Sequence, residues 1–282
     1  MDYEQIIYKP GKVARLILNR PQYLNAQGWQ IREELDDAFV RAKEDDAVGA
    51  IVLSGAGKSF SAGHDISTAE DKEYRQAHGV DGTSRFDIFR NQRAITVENT
   101  LRWRNVPKPT VAMIHGYCIF AGWMIASAMD VLFASESALF LPSHFQYFSV
   151  PWDMGPRKTK EVLFEHRFMT AWEAYEFGFI NRVYPDNELE KETMAFADRV
   201  ADNYLRDPMR IRMVKFSVNN MQDRQGFSAE IETAFNNYCT MMGLAPRELP
   251  QPKDGGVARS DAARQNLELT RPWLKRSTRE PR

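Results

Sequence analysis

IHGYCIFAGWMIASAMDVLFASESALFLPSHFQYFSVPWDMG, residues Ile114 to Gly155, is the stretch of this 282-residue chain that decides its fold. It opens as a buried apolar strand, breaks at Gly116, and passes the small pair Ala121-Gly122 into a helix. A turn into a helix leaves backbone N–H groups without intrahelical acceptors, and donors gathered at one point stabilise a developing oxyanion. Further on, His144 and Asp153 stand in a loop rich in aromatic residues.

Strands and helices alternate on either side of this stretch. Val13 to Leu18 reads as a strand ended by Asn19-Arg20-Pro21, and the helix after it carries Ile31, Leu35 and Phe39 on one face. Ala50 to Leu53 and Thr110 to Ile114 are short, wholly apolar runs that fit buried strands. Between them, residues 68–105 form a polar, aromatic-dotted helical excursion interrupted at Gly79 and Gly82. Val131 to Phe133 and Ala138 to Phe140 are two more strands, followed by helices over Pro156 to His166 and Ala171 to Phe177. In the second of these, Thr170 and Glu173 match a capping box and Gly178 a C-cap. Ile180 to Tyr184 is the last strand; helices follow from about Glu188, from Pro208 after Asp207, and over Ala229 to Met241. Residues 245–256 read as a loop, with a short helix from Ser260 to Leu269 beyond it. The pattern is an α/β core followed by a helical C-terminal part.

Composition excludes several function classes. With 37 basic and 38 acidic residues the net charge is −1, which gives no electrostatic footprint for nucleic acid or a membrane surface. Two distant cysteines, Cys118 and Cys239, make no disulfide framework, and a cytoplasmic location is expected. No apolar run is long enough to span a bilayer. The five histidines show no paired ligand spacing, so no metal is expected. Ser54-Gly55-Ala56-Gly57-Lys58-Ser59 imitates a P-loop, but the required first glycine falls at Val52, so the run is a strand-end turn. Ser143, His144 and Asp153 hint at a hydrolase triad without the G-x-S-x-G turn that would present the serine.

From about Tyr3 to Met241 the chain resembles the crotonase (enoyl-CoA hydratase/isomerase) superfamily. The resemblance rests on LNRPQYLNA (Leu18 to Ala26), IVLSGAGKSFSAGHDI (Ile51 to Ile66), PTVAMIHGYCIFAGWMIASAMDVLFASESALF (Pro109 to Phe140) and AYEFGFINRVYP (Ala174 to Pro185), in that order. It implies an α/β fold, a spiral of ββα units over residues 1–200 that holds the CoA and active site. Residues 201–282 would form a helical oligomerisation region and tail, building a homotrimer or a dimer of trimers. The substrate would be an acyl-CoA thioester, with coenzyme A entering as part of it and no cofactor held permanently.

The resemblance also implies a site. Backbone N–H groups of His64 and Ala121 would form the oxyanion hole for the thioester oxygen, with Asp65 capping the turn. Gln22, Tyr23, Leu24 and Ala62 would line the CoA site, and Arg20 reads equally as a structural cap or a phosphate contact. Tyr117, Trp123, Met124, Tyr147 and Trp152 are candidates for the acyl-pocket lining, and His115 closes a turn. The two glutamates with which familiar hydratases add water would stand at Met124 and Ser143, so that pair is absent here. His144 and Asp153 are the candidate replacements: a histidine held by an aspartate can take a proton from water. The expected reaction is hydrolytic C–C cleavage of retro-Claisen, ring-opening type. The alternatives are hydration or isomerisation through Asp153, and a catalytically silent binding or scaffold protein. The competing readings are that Asp153 caps the helix beginning near Pro156, that His144 is a packed or surface residue, and that the aromatics are core.

Overall fold

The computed structural model describes residues 3–66, 68–143, 146, 148–244, 266–271 and 274. Two sheets carry the core. The larger has six strands in the order β1 (Ile6–Lys9), β2 (Val13–Leu18), β3 (Ala50–Gly55), β4 (Thr110–Ile114), β6 (Val131–Ser135) and β9 (Arg182–Tyr184). All neighbours run parallel except β1, which pairs antiparallel with β2. The smaller sheet joins β5 (Tyr117–Ile119), β7 (Leu139–Leu141) and β8 (Met169–Thr170).

The spiral follows from how the chain turns corners between these sheets. After β4 the chain bends at His115-Gly116 into β5, and after β6 it bends at residues 136–138 into β7. The segment after β3 repeats the move, since Ser61 pairs with Cys118 of β5 in a parallel bridge. Each strand pair leads on to helix, as the expected ββα succession requires. His115 holds one corner to the next: its Nε2 lies 2.9 Å from the Gly57 carbonyl.

Helix α1 (Trp29–Glu44) buries Ile31, Leu35, Ala38, Phe39 and Ala42, the face its spacing predicts. The excursion resolves into α2 (Ala69–Ala77), α3 (Arg85–Arg93), a π-helical turn Ala94–Glu98, and α4 (Asn99–Arg104). Helix α5 (Ala121–Ser127) is buried throughout. It is followed by a short α6 (Val150–Asp153), α7 (Pro156–Glu165), and α8 (Ala171–Glu176) with the Thr170/Glu173 capping box formed. Helix α9 (Leu189–Arg206) lies on the outer face of the large sheet, its Leu189 and Ala197 against Val52, Val111, Met113 and Phe133. It runs through residue 200, where the boundary between core and C-terminal region was expected.

Helix α10 (Pro208–Arg224) starts where Asp207 accepts the Arg210 N–H, and α11 (Phe227–Leu244) packs back on it. No residue of α10 is buried, and Met209, Met213, Phe216 and Met221 are exposed. Residues 266–271 are helical and Thr270 accepts the Phe168 N–H at 3.1 Å, while the loop expected over 245–256 lies outside the described residues. No helix among the described residues is long and apolar enough to cross a membrane.

Candidate active site

Two backbone segments meet where β5 ends and α5 begins. Phe120, the residue before α5, holds φ 48° and ψ −106°, a conformation that non-glycine residues adopt only when the surroundings impose it. The first intrahelical bond runs from the Met124 N–H to the Phe120 carbonyl. The Ala121 N–H therefore points out of the helix end. The second segment is Ser61 to His64. Its Gly63 carbonyl accepts the Gln27 N–H at 2.7 Å, and the Asp65 N–H donates to Gln27 at 2.9 Å. A trans peptide points its C=O and N–H in opposite directions, so the His64 N–H faces away from Gln27.

That is the side on which Gly63 packs against α5. A Cβ on Gly63 would stand 2.9 Å from the Ile119 carbonyl oxygen and 3.6 Å from the Ala121 nitrogen. A Cβ facing Ser61 from Gly122 is equally excluded, since it would stand 2.7 Å from that residue's carbonyl oxygen. Among the described residues neither the His64 nor the Ala121 N–H has a hydrogen-bond acceptor. Two free donors brought together by glycine-permitted contact can bind an anionic oxygen. The His64 side chain is neutral at physiological pH: burial, with a contribution from the nearby Arg32 guanidinium, lowers its pKa to about 4. The amide of Gln146 hydrogen-bonds its Nε2.

Residues 20–26 form a rigid ledge beside the second segment. Arg20, almost fully buried, donates to the Asp65 carboxylate and the Ala26 carbonyl, both at 2.8 Å, and to Thr68 and Glu70. The choice left open in sequence is thereby made: the guanidinium is spent inside the protein, tying the ledge to the N-terminus of α2. Asp65 is a structural partner too. Burial pushes its carboxyl up, but hydrogen bonds from the Thr68 side chain and backbone and from Arg20 outweigh this and hold it below the usual carboxylate range. On the ledge Gln22, Tyr23 and Leu24 are exposed, and Leu24 accepts the Ala62 N–H at 2.9 Å. The four expected CoA-site residues are thus contiguous.

Asp153 closes α6. Its carboxylate accepts a 2.5 Å hydrogen bond from Ser149 Oγ, which also lies 3.1 Å from the Ser127 carbonyl at the end of α5. Asp153 is exposed, with protein packed closely around its carboxyl. Desolvation raises its pKa to about 6, against the lowering effects of the Ser149 hydrogen bond and of Arg104. It does not cap the next helix, since the residue preceding α7 is Gly155 and no side chain caps that end. Trp152 beside it is half-buried, its ring 4.9 Å from Phe227 of α11.

The other expected pocket residues are spread out. Tyr117 is half-buried against Phe168, at 5.6 Å between ring centroids. Trp123 and Met124 are fully buried in the main core, where Trp123 stacks on Phe179 at 4.3 Å. His144 and Tyr147 lie outside the described residues. Their described neighbours reach both sides of the paired donors, the Leu141 carbonyl accepting the Phe120 N–H at 2.8 Å and Gln146 bonding to His64. Two surface recesses, of about 640 Å³ beside Tyr8 and Arg41 and about 470 Å³ beside Gln30 and Tyr74, include neither His64, Ala121 nor Asp153.

Sequence reasoning missed Arg32, Gln27 and Ser61, which support the His64 segment from behind. A signal was present for Arg32: it stands three residues before Leu35 and seven before Phe39, inside the apolar stripe of α1.

Comparison with known proteins identifies the family. Residues 9–238 match the sequence model of the enoyl-CoA hydratase/isomerase family. A Mycobacterium tuberculosis protein named provisionally as an enoyl-CoA hydratase is 35% identical over 255 residues, which cover 83% of this chain and 79% of that protein. A Rhizobium meliloti protein, also named provisionally as an enoyl-CoA hydratase, is 30% identical over 229 residues, covering 78% and 82%. Among solved structures, a Mycobacterium smegmatis protein described in the same provisional terms superposes with a TM-score of 0.76 at 37% identity, covering 87% of this chain and 96% of that one. The ββα spiral and these matches lead to one conclusion: the chain belongs to the enoyl-CoA hydratase/isomerase family, within the crotonase superfamily.

Proposed function

We propose that this enzyme binds an acyl-CoA thioester with its carbonyl oxygen on the His64 and Ala121 N–H groups and cleaves a C–C bond of the acyl group hydrolytically. CoA would lie along Gln22, Tyr23, Leu24 and Ala62. Water gives a proton to His144, oriented by Asp153, while its oxygen attacks a ketone carbon. The bond from that carbon to the thioester α-carbon then breaks, and its electron pair forms an enolate whose oxygen is held by the two donors. The proton held by His144 passes to the α-carbon, completing a retro-Claisen cleavage that leaves a carboxylic acid where the ketone stood.

The observation that carries this reading is the placement of Asp153. Its hydrogen-bond link through Ser149 belongs to the far end of α5, a helix about 10 Å long at 1.5 Å per residue. An aspartate reaching across that span to the α-carbon by itself is poorly placed. An aspartate that holds a histidine, which holds a water, fills about that distance with hydrogen bonds of about 2.8 Å and an imidazole between them. The second reading, hydration or isomerisation using Asp153, is favoured by the names of the relatives. Incubation with crotonyl-CoA and with a cyclic β-ketoacyl-CoA separates the two. A new carboxylic acid product from the cyclic substrate supports cleavage; loss of the enoyl absorbance without it supports the second reading. The exposed methionines and Phe216 of α10 support self-association into trimers, which light scattering at micromolar concentration would detect.

A further inference from the structure

We infer that Arg32 is a positioning residue for the oxyanion donors, acting through Gln27 and Ser61 on the segment that carries the His64 N–H. This rests on the assignment of that N–H to the thioester oxygen. Arg32 is 2% exposed and makes no ion pair among the described residues. Asp36, one turn further along the same helix and the carboxylate whose charge acts on Arg32, is engaged by Arg102 at 2.7 Å and by Trp103 Nε1 at 2.8 Å. A buried cation with no carboxylate is costly to keep, and it persists only when neutral acceptors surround it. Here they do. Arg32 Nε donates to the Ile95 carbonyl at 2.6 Å, and Nη2 donates to the Thr96 carbonyl at 3.3 Å and to Thr100 Oγ1 at 3.0 Å.

Two of these acceptors belong to the π-helical turn Ala94–Glu98, where the helical ladder is shifted and carbonyls are open to an outside donor. The remaining nitrogen, Nη1, donates to Gln27 Oε1 at 2.8 Å. This fixes the amide orientation, so Gln27 Nε2 donates to Ser61 Oγ at 2.9 Å. Ser61 Oγ in turn donates to the Asn25 carbonyl at 2.8 Å and lies 3.2 Å from the Gly63 nitrogen, whose N–H it accepts. Gln27 also brackets His64 with its own backbone N–H and carbonyl. A single guanidinium therefore ties the excursion over residues 68–105 to the turn that aims the His64 donor. It also places a fixed positive charge behind a site that must accept negative charge, where a low dielectric makes it effective.

The test uses the full-length protein and crotonyl-CoA labelled with 13C at the thioester carbonyl. Infrared difference spectra report the shift of the carbonyl stretch on binding, and calorimetry reports the affinity for free CoA. Wild type is expected to lower the carbonyl frequency. Arg32→Met should lose at least half of that shift, Arg32→Lys should recover part of it by restoring the charge, and Ser61→Ala should also reduce it. Affinity for free CoA should stay within about twofold in all three, a split that general loosening of the fold would not give. With whichever thioester is turned over, kcat should fall roughly ten- to a hundred-fold, less than for outright loss of a donor. A folded Arg32→Met protein with the wild-type shift overturns the inference; if that variant does not fold, a wild-type shift in Ser61→Ala overturns it. A wild-type protein that binds the thioester without any shift refutes the oxyanion assignment itself, and this inference with it.

Discussion

Substituting Gly122 by alanine tests the close approach on which the oxyanion site depends. The added Cβ would meet Ser61 at 2.7 Å from its carbonyl oxygen, 2.9 Å from its Cβ and 3.2 Å from its Oγ. Ordinary contact between such atoms is about 3.5 Å, so the two segments must separate by roughly 0.8 Å. Neither can yield by a side-chain rotation alone, because the nearest atom is backbone. Overpacking of this kind costs about 1–3 kcal/mol, less than the stability of a typical domain, so the variant folds. The chemistry is more sensitive: a misplacement approaching 1 Å costs on the order of a hundredfold in rate. Turnover would be measured with whichever of crotonyl-CoA or the cyclic β-ketoacyl-CoA the wild type consumes, alongside urea unfolding. Gly243→Ala on α11 is the control, since among the described residues nothing lies within 4 Å of its Cβ position. It should be neutral or stabilising by up to about 1 kcal/mol. A folded Gly122→Ala enzyme with kcat within about threefold of wild type would refute the reasoning.

Other predictions follow from single groups. Asp153→Asn should abolish most turnover and remove the limb of the pH–rate profile near pH 6. Because the folded carboxyl titrates above its unfolded value of 3.8, the native state is penalised as pH rises through about 6. The variant should therefore be more stable than wild type at pH 7.5, with the gain gone below about pH 4 in thermal melts. His64 has the opposite sign in this respect. Its folded pKa lies below the unfolded 6.5, so stability is full above that pH and is lost as pH falls toward 4, by up to about 3 kcal/mol. His64→Gln should flatten that acid limb. Arg20→Gln removes the guanidinium from the Asp65 carboxylate, whose side chain has no exposed surface and keeps its Thr68 hydrogen bonds, and should cost about 3–5 kcal/mol in urea unfolding; a loss below 1 kcal/mol would contradict the structural role given to Arg20.

What could be read from sequence, and what could not, divides by the range of the interactions. The apolar runs of β3 and β4, the stripe of α1 and the Thr170/Glu173 capping box are local signals, and the structure carries each of them. Strand β8 is two residues long, too short for a period of two to register, and β5 is a short run enclosed between the breaks at Gly116 and Gly122. Helix α6 was hidden because Pro151 and the surrounding aromatics read as loop. Arg20 was ambiguous because its acidic partners, Asp65 and Glu70, lie 45 and 50 residues away. The Arg32 network stayed unseen for the same reason, its acceptors lying on a π-helical turn over sixty residues on. The two segments that carry the proposed donors, Ser61-Ala62-Gly63-His64 and Phe120-Ala121-Gly122, were picked out through the family resemblance. The strain at Phe120 that aims one of them was not, because nothing in a phenylalanine announces a positive φ.

The central claim is that the His64 and Ala121 N–H groups receive one thioester oxygen. A crystal structure of the protein with a bound acyl-CoA tests it most directly. The carbonyl oxygen should lie about 2.7–3.1 Å from both nitrogens, with the pantetheine along Tyr23 and Ala62 and Asp153 facing the acyl pocket. A thioester oxygen bound away from both nitrogens, or an Asp153 carboxylate turned away from the acyl group, would contradict it.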